Sequence, residues 1–278
     1  EDETTEKDEE SDKDEDEAMR ALLAGMEFDD DDDTSTSSSS SSNSDLTRRD
    51  VDLPNNFLDH IVLAAPDLEA AVLEFEEKTG IAPIITGEIK GLGIKTARIS
   101  FEGSCFLEII APNPEKNGPI GDLLKHPSMF ASSEGGILQP FHWAIRTADA
   151  DAMISDMSKL GYKPDCIGMS GANQDMTPKR WEMLYLYGHE LGGICPFFIN
   201  WDTSDHPCET MPIVGELMEV NIQAPADDKI HKLIGHTKSQ GFNLTEGPAH
   251  FEIKFSCPQD PDGVIYSSED MVGFKFPE

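Results

Sequence analysis

The stretch FLDHIVLAAPDLEAAVLEFEEKTGIAP, residues 57–83, decides the fold, because it recurs at residues 140–164 as PFHWAIRTADADAMISDMSKLGYKP. The two segments align almost without gaps. Each opens with an apolar strand carrying a central histidine, His60 or His142, and seven residues later each has an aspartate, Asp67 or Asp149, suited to a helix N-terminus. A helix is predicted after both. Its apolar face is Leu68, Ala71, Val72 and Phe75 in the first copy and Met153, Ile154, Met157 and Leu160 in the second, spaced as one side of an α-helix requires. Gly80 and Gly161 are placed to end them in the left-handed conformation, and Pro83 and Pro164 prevent continuation.

Working outward, each helix is followed by strand-like sequence. In the first copy residues 94–101 (IKTARISF), a turn at 102–104 and residues 105–110 (CFLEII) read as a hairpin; in the second, residues 181–187 (WEMLYLY) and 194–200 (ICPFFIN) do the same. One more short strand after each helix, near 84–85 and 165–167, makes both units βαβββ. A weaker third copy begins at 217–223 (LMEVNIQ), has a helix face of Ile230, Leu233 and Ile234, and continues to a strand at 251–256 (FEIKFS) before sequence that reads as irregular. The predicted class is α+β: two βαβββ modules folded against each other, with an incomplete third βαβ module. The divisions are 1–52 a tail, 53–112 the first module, 113–139 a linker, 140–212 the second module and 213–278 the third.

Composition frames that reading. Fifty-four acidic against 21 basic residues give a formal net charge of −33, which repels nucleic-acid backbones and anionic lipid alike. About half of it lies in residues 1–50, where the acidic opening, the run 29–33 and the serines 37–42 offer too little apolar area to offset chain entropy, so disorder is expected there. No apolar run approaches the roughly 18 to 20 residues of a membrane span. Five cysteines without a CxxC pair point to a reducing compartment, and a cytoplasmic location is expected.

Strand 57–64 is apolar except for Asp59 and His60, strand 105–110 except for Glu108, and His142 repeats the situation of His60 in the second copy. A carboxylate inside an apolar strand, as Glu108 is, is costly unless hydrogen-bonded, paired with a cation or bound to metal. Pairing the two modules brings His60, His142 and Glu108 towards one pocket. Two imidazoles and a carboxylate suit a divalent Fe, Mn, Ni or Zn ion with open positions. The alternative is that Glu108 pairs with a core arginine such as Arg98 or Arg146.

The segments LDHIVLAAPDLEAAV, FLEIIAP, HWAIRT, RWEMLYL and GGICPFFINWDTSDHP resemble the glyoxalase-like domain family of the vicinal oxygen chelate superfamily, over about residues 57–212. The resemblance implies a half-open barrel holding a divalent metal on its concave face. The ligands it implies are His60, Glu108 and His142, with Glu108 as the catalytic group as well.

Aligning FLEIIAP with PFFINWD puts Phe198 opposite Glu108, where the glyoxalase I reaction has a catalytic carboxylate, so that isomerase activity is disfavoured. Glu219 is a candidate replacement acid. Trp143, Arg146, Arg180, Trp181, Phe198, Trp201 and His206 are the candidate pocket residues, fitting a small metabolite with vicinal oxygens. The expected function is a metal-dependent lyase, isomerase or dioxygenase, or a non-catalytic small-molecule-binding module, as a monomer or homodimer.

Overall fold

The computed structural model describes residues 56–89, 91–130, 136–172, 178–201 and 206–268; the expected acidic tail lies outside them. The first module runs β1 (Phe57–Ala64), α1 (Leu68–Thr79), β2 (Ile84–Ile89), β3 (Ile94–Ser100) and β4 (Phe106–Pro112). A connector with one short helix, α2 (Pro119–Leu124), leads to the second module: β5 (Gln139–Arg146), α3 (Ala150–Lys159), β6 (Lys163–Ala172), β7 (Pro178–Tyr187) and β8 (Phe197–Asn200). The repeat is visible in the helix ends. Asp67 accepts a hydrogen bond from the Ala70 amide at 2.8 Å and Asp149 from the Ala152 amide at 2.9 Å, each cap worth about 1 kcal/mol. Gly80 and Gly161 both take a left-handed φ, +84° and +81°, which a side chain would resist.

Eight strands form one sheet in the order β2-β3-β4-β1-β5-β8-β7-β6. Within each module the first strand is parallel to the last, and the modules join where β1 runs antiparallel to β5. The sheet curls into a half-barrel. One face carries His60, Glu108 and His142; the other presents Ile61, Leu63, Leu107, Ile109, Trp143, Ile145 and Phe198, all under 1% exposed.

The third unit is β9 (Leu217–Ala224), α4 (Ile230–Thr237), β10 (Asn243–Glu246), β11 (His250–Phe255) and β12 (Val264–Ser268), in the order β10-β9-β11-β12. The parallel crossover is closed by β10, a strand not foreseen; the expected strand 251–256 is β11, which runs antiparallel to β9, and β12 extends the sheet beyond it. The last strand falls in sequence expected to be irregular: it is only five residues long, yet buries Val264 and Tyr266 while exposing Ile265. This sheet packs behind the barrel. Phe251 and Phe242 meet Trp143, and Phe255 stacks at 6.0 Å on Phe75 of α1. Among the described residues no helix is long and apolar enough to cross a membrane.

Candidate functional site

The site begins with an irregularity in β1. Leu58 pairs with Ile145 and His60 with Ala144, so Asp59 is an extra residue, a β-bulge that re-aims the side chains around it. The bulge turns Asp59 towards its neighbour. Its Oδ1 lies 2.6 Å from His60 Nδ1, and its Oδ2 accepts from Arg146 Nε at 2.8 Å, Trp201 Nε1 at 3.0 Å and His206 Nε2 at 3.1 Å. Asp59 is completely buried. Burial alone pushes its carboxyl up, but the hydrogen bonds from His206 and His60 and their charges reverse this and hold it well below the usual carboxylate range. It is an ionised hub.

Those bonds fix two imidazoles. His206 accepts the Cys208 amide at Nδ1, so the proton it gives Asp59 sits on Nε2; burial pushes its pKa down more than Asp59 raises it, leaving the ring neutral. His60 is set the other way. Its Nδ1 proton points to Asp59, and its Nε2 has no hydrogen bond among the described residues. Phe106 stacks on the ring at 4.5 Å and Phe197 meets it edge-on at 5.4 Å. Arg146 is held by a second bond, from Nη2 to the Ser104 carbonyl.

Strand register arranges the rest in two rows across the concave face. In one, Arg98 lies beside Glu108, Glu108 beside Val62 and Val62 beside His142. In the other, His60 lies beside Ala144 and Ala144 beside Phe197, with Leu184 paired to Phe198 so that Tyr185 falls next to Phe197. The two rows are related by the module repeat. Glu108 accepts from Arg98 Nε and Nη2 on the same oxygen, both at 2.6 Å, whereas Tyr185 stacks on Phe197 at 5.4 Å. His142 donates from Nε2 to the Cys195 carbonyl at 2.8 Å, and burial pushes its pKa down to about 3, so it is neutral at ordinary pH.

A model of the glyoxalase-like domain matches residues 58–237, well over half of the chain. The chain belongs to the glyoxalase-like domain family. Solved structures similar to this family member include a hypothetical protein from Staphylococcus aureus, 14% identical, with a TM-score of 0.49 over 76% of this chain and 85% of that one. Methylmalonyl-CoA epimerase from Mycobacterium tuberculosis is 17% identical, with a TM-score of 0.37 over 53% of this chain and 88% of its own. The Streptomyces coelicolor methylmalonyl-CoA epimerase is 20% identical, with a TM-score of 0.36 over 51% of this chain and 95% of that one. A search of curated proteins finds no match.

Of the candidate pocket residues, Arg146, Trp201 and His206 converge on Asp59, and Trp181 packs on Trp201 at 5.9 Å. Three others do not. Trp143 alternates with His142 and so faces the third unit, donating to the Ile194 carbonyl, and Phe198 is buried on that same outer face. Arg180 alternates with Trp181 and is exposed. The residue that matches Glu108 is Phe197 rather than Phe198: Val62 pairs with Glu108, and its counterpart Ala144 pairs with Phe197. Glu219 is also outside, exposed and bonded to Asn221 on the solvent face of the second sheet.

The divalent metal that the resemblance implies is tested by its donors. Glu108 is neutralised by Arg98, the His142 Nε2 carries a proton turned to a backbone carbonyl, and the Phe197 ring sits 5.4 Å from one imidazole and 4.9 Å from the other. Among the described residues no three His, Cys, Asp or Glu side chains form a group able to hold a metal ion. His60, Glu108 and His142 are therefore not one donor set, and as arranged they do not fit the metal. The residues that sequence reasoning did not select were Asp59, Phe197 and Tyr185. Only Asp59 left a signal, as a charge inside an apolar strand.

Proposed function

We propose that the concave face binds a small oxygenated metabolite and that His60 moves a proton on it, as an isomerase or lyase does. The buried Asp59–His60 pair, 2.6 Å apart, carries this reading. A carboxylate that accepts the Nδ1 proton leaves the ring's lone pair on Nε2 and stabilises the imidazolium formed when that nitrogen takes a proton. Arg146, Trp201 and His206 hold Asp59 ionised and immobile. Phe106 and Phe197 wall the ring, which limits water around it. A base positioned in this way contributes about 10²- to 10⁴-fold to a proton transfer. No step requires a metal-bound oxygen.

A second reading, a binding module without chemistry, draws support from the apolar Phe197–Tyr185 pair at the positions matching Glu108 and Arg98. The test is solvent exchange. The full chain is incubated in deuterated buffer with a panel of small 2-oxo and 2-hydroxy aldehydes, ketones and acids, and deuterium at the carbon beside the carbonyl is read by mass spectrometry. Exchange is expected for at least one compound, reduced about 100-fold or more in His60→Gln and unchanged by exhaustive chelation. Binding without exchange would favour the module, and exchange that needs added divalent metal would overturn the assignment of His60 as a free base.

A further inference from the structure

Tyr185 has no role in holding the fold that its hydroxyl could explain. Its ring is stacked between Phe197 at 5.4 Å and His142 at 6.4 Å, but the hydroxyl makes no hydrogen bond among the described residues, and the side chain is only half-buried. The row it occupies contains His60: His60, Ala144, Phe197 and Tyr185 follow one another across β1, β5, β8 and β7 on the concave face. Phe197 touches both rings, so it forms a floor with the imidazole from the first module on one side and the phenol from the second on the other.

We propose that the Tyr185 hydroxyl donates a hydrogen bond to a carbonyl oxygen of the substrate while His60 takes the proton from the adjacent carbon, which makes the substrate class an enolisable carbonyl compound lying over Phe197. This rests on His60 acting as a base. In the step, the C–H bond breaks and its proton goes to His60 Nε2; the electron pair forms the C=C bond, and the carbonyl π electrons move to oxygen. That oxygen becomes an enolate held by the Tyr185 proton. Return of the proton from Nε2 to carbon closes the cycle, with no oxidant or reductant consumed. A neutral donor aimed at the developing charge is worth most where water is excluded. Burial, with the charges of Tyr187 and Glu108, pushes the Tyr185 phenol up, so it stays protonated and able to donate.

Ionisable nitrophenols are suitable probes, because their anions are flat, apolar and carry one charged oxygen, as an enolate does. Binding to the full chain is followed by the absorbance of the bound anion, in wild type, Tyr185→Phe and, as a control outside the site, Glu219→Gln. The expected result is binding to wild type with a shifted anion band, a loss of about tenfold or more in Tyr185→Phe, as for a hydrogen bond to a charged group, and retention in Glu219→Gln. Equal binding to wild type and Tyr185→Phe would overturn the role of Tyr185 and leave His60 standing. No binding to wild type would also overturn it, and His60 would then be judged by the deuterium exchange alone.

Discussion

The last strands of the two modules differ at matching places. In the first, Glu108 and Arg98 form an ion pair in the row that contains His142; in the second, Phe197 and Tyr185 form a ring stack in the row that contains His60. By strand register each histidine shares a row with the other module's pair, while the His142 ring also packs against Phe197 and Tyr185 of its own module. The ion pair consumes its own charge, while the aromatic pair neither bonds nor neutralises the imidazole beside it. The two imidazoles differ in their hydrogen bonds rather than in their aromatic neighbours: His60 keeps an open Nε2, whereas buried His142 gives its Nε2 proton to a carbonyl and stays neutral.

The largest effect is expected at Asp59. Asp59→Ala removes a fully buried charge from four donors and strands Arg146, and is expected to lower unfolding stability by about 3–5 kcal/mol in urea denaturation. A loss below about 1 kcal/mol would mean that the hub is not formed. Arg98→Ala leaves Glu108 unpaired at 6% exposure and should cost about 3 kcal/mol. Copying the second module's pair into the first, as Arg98→Tyr with Glu108→Phe, should recover most of that loss, because removing both charges leaves no unpaired one. If the double variant is as unstable as the single one, the two strands are not equivalent in packing.

Next in size is the pH dependence of His142. Its folded pKa, about 3, lies below the unfolded value of 6.5, so the unfolded chain binds the proton more readily. The stability is fully present above pH 6.5 and is lost as pH falls towards 3, by about 2 kcal/mol at pH 5. His206 and His189, also pushed down mainly by burial, add to the same slope. His142→Gln should flatten the slope between pH 6.5 and 5; an unchanged slope would contradict a buried neutral ring. The smallest effect is expected for Tyr185→Phe, within about 0.5 kcal/mol of wild type, since no protein hydrogen bond is lost.

The modules themselves were legible because their signals are local: the Asp67 and Asp149 caps, Gly80 and Gly161, and the helix faces ending in Phe75 and Leu160 all follow from spacing. Glu108 was legible as a residue needing a partner, and the arginine alternative, Arg98, is the one realised. What sequence could not carry was register. Phe197 and Phe198 are adjacent and alike, so no alternation tells which one faces the cleft, and pairing with Ala144 and Ile145 decides it. Trp143 reads as a pocket residue until the third unit covers the outer face of β5. Asp59 becomes a hub only because a bulge, invisible in composition, places it beside His60.

The most direct measurement is the tautomer of the neutral His60 ring by nitrogen-15 NMR, in wild type and Asp59→Asn. With Asp59 accepting from the ring, a proton on Nδ1 and a bare Nε2 are expected in wild type, with the tautomer lost or reversed in Asp59→Asn. A proton on Nε2 with a bare Nδ1 in the wild-type protein would contradict that arrangement.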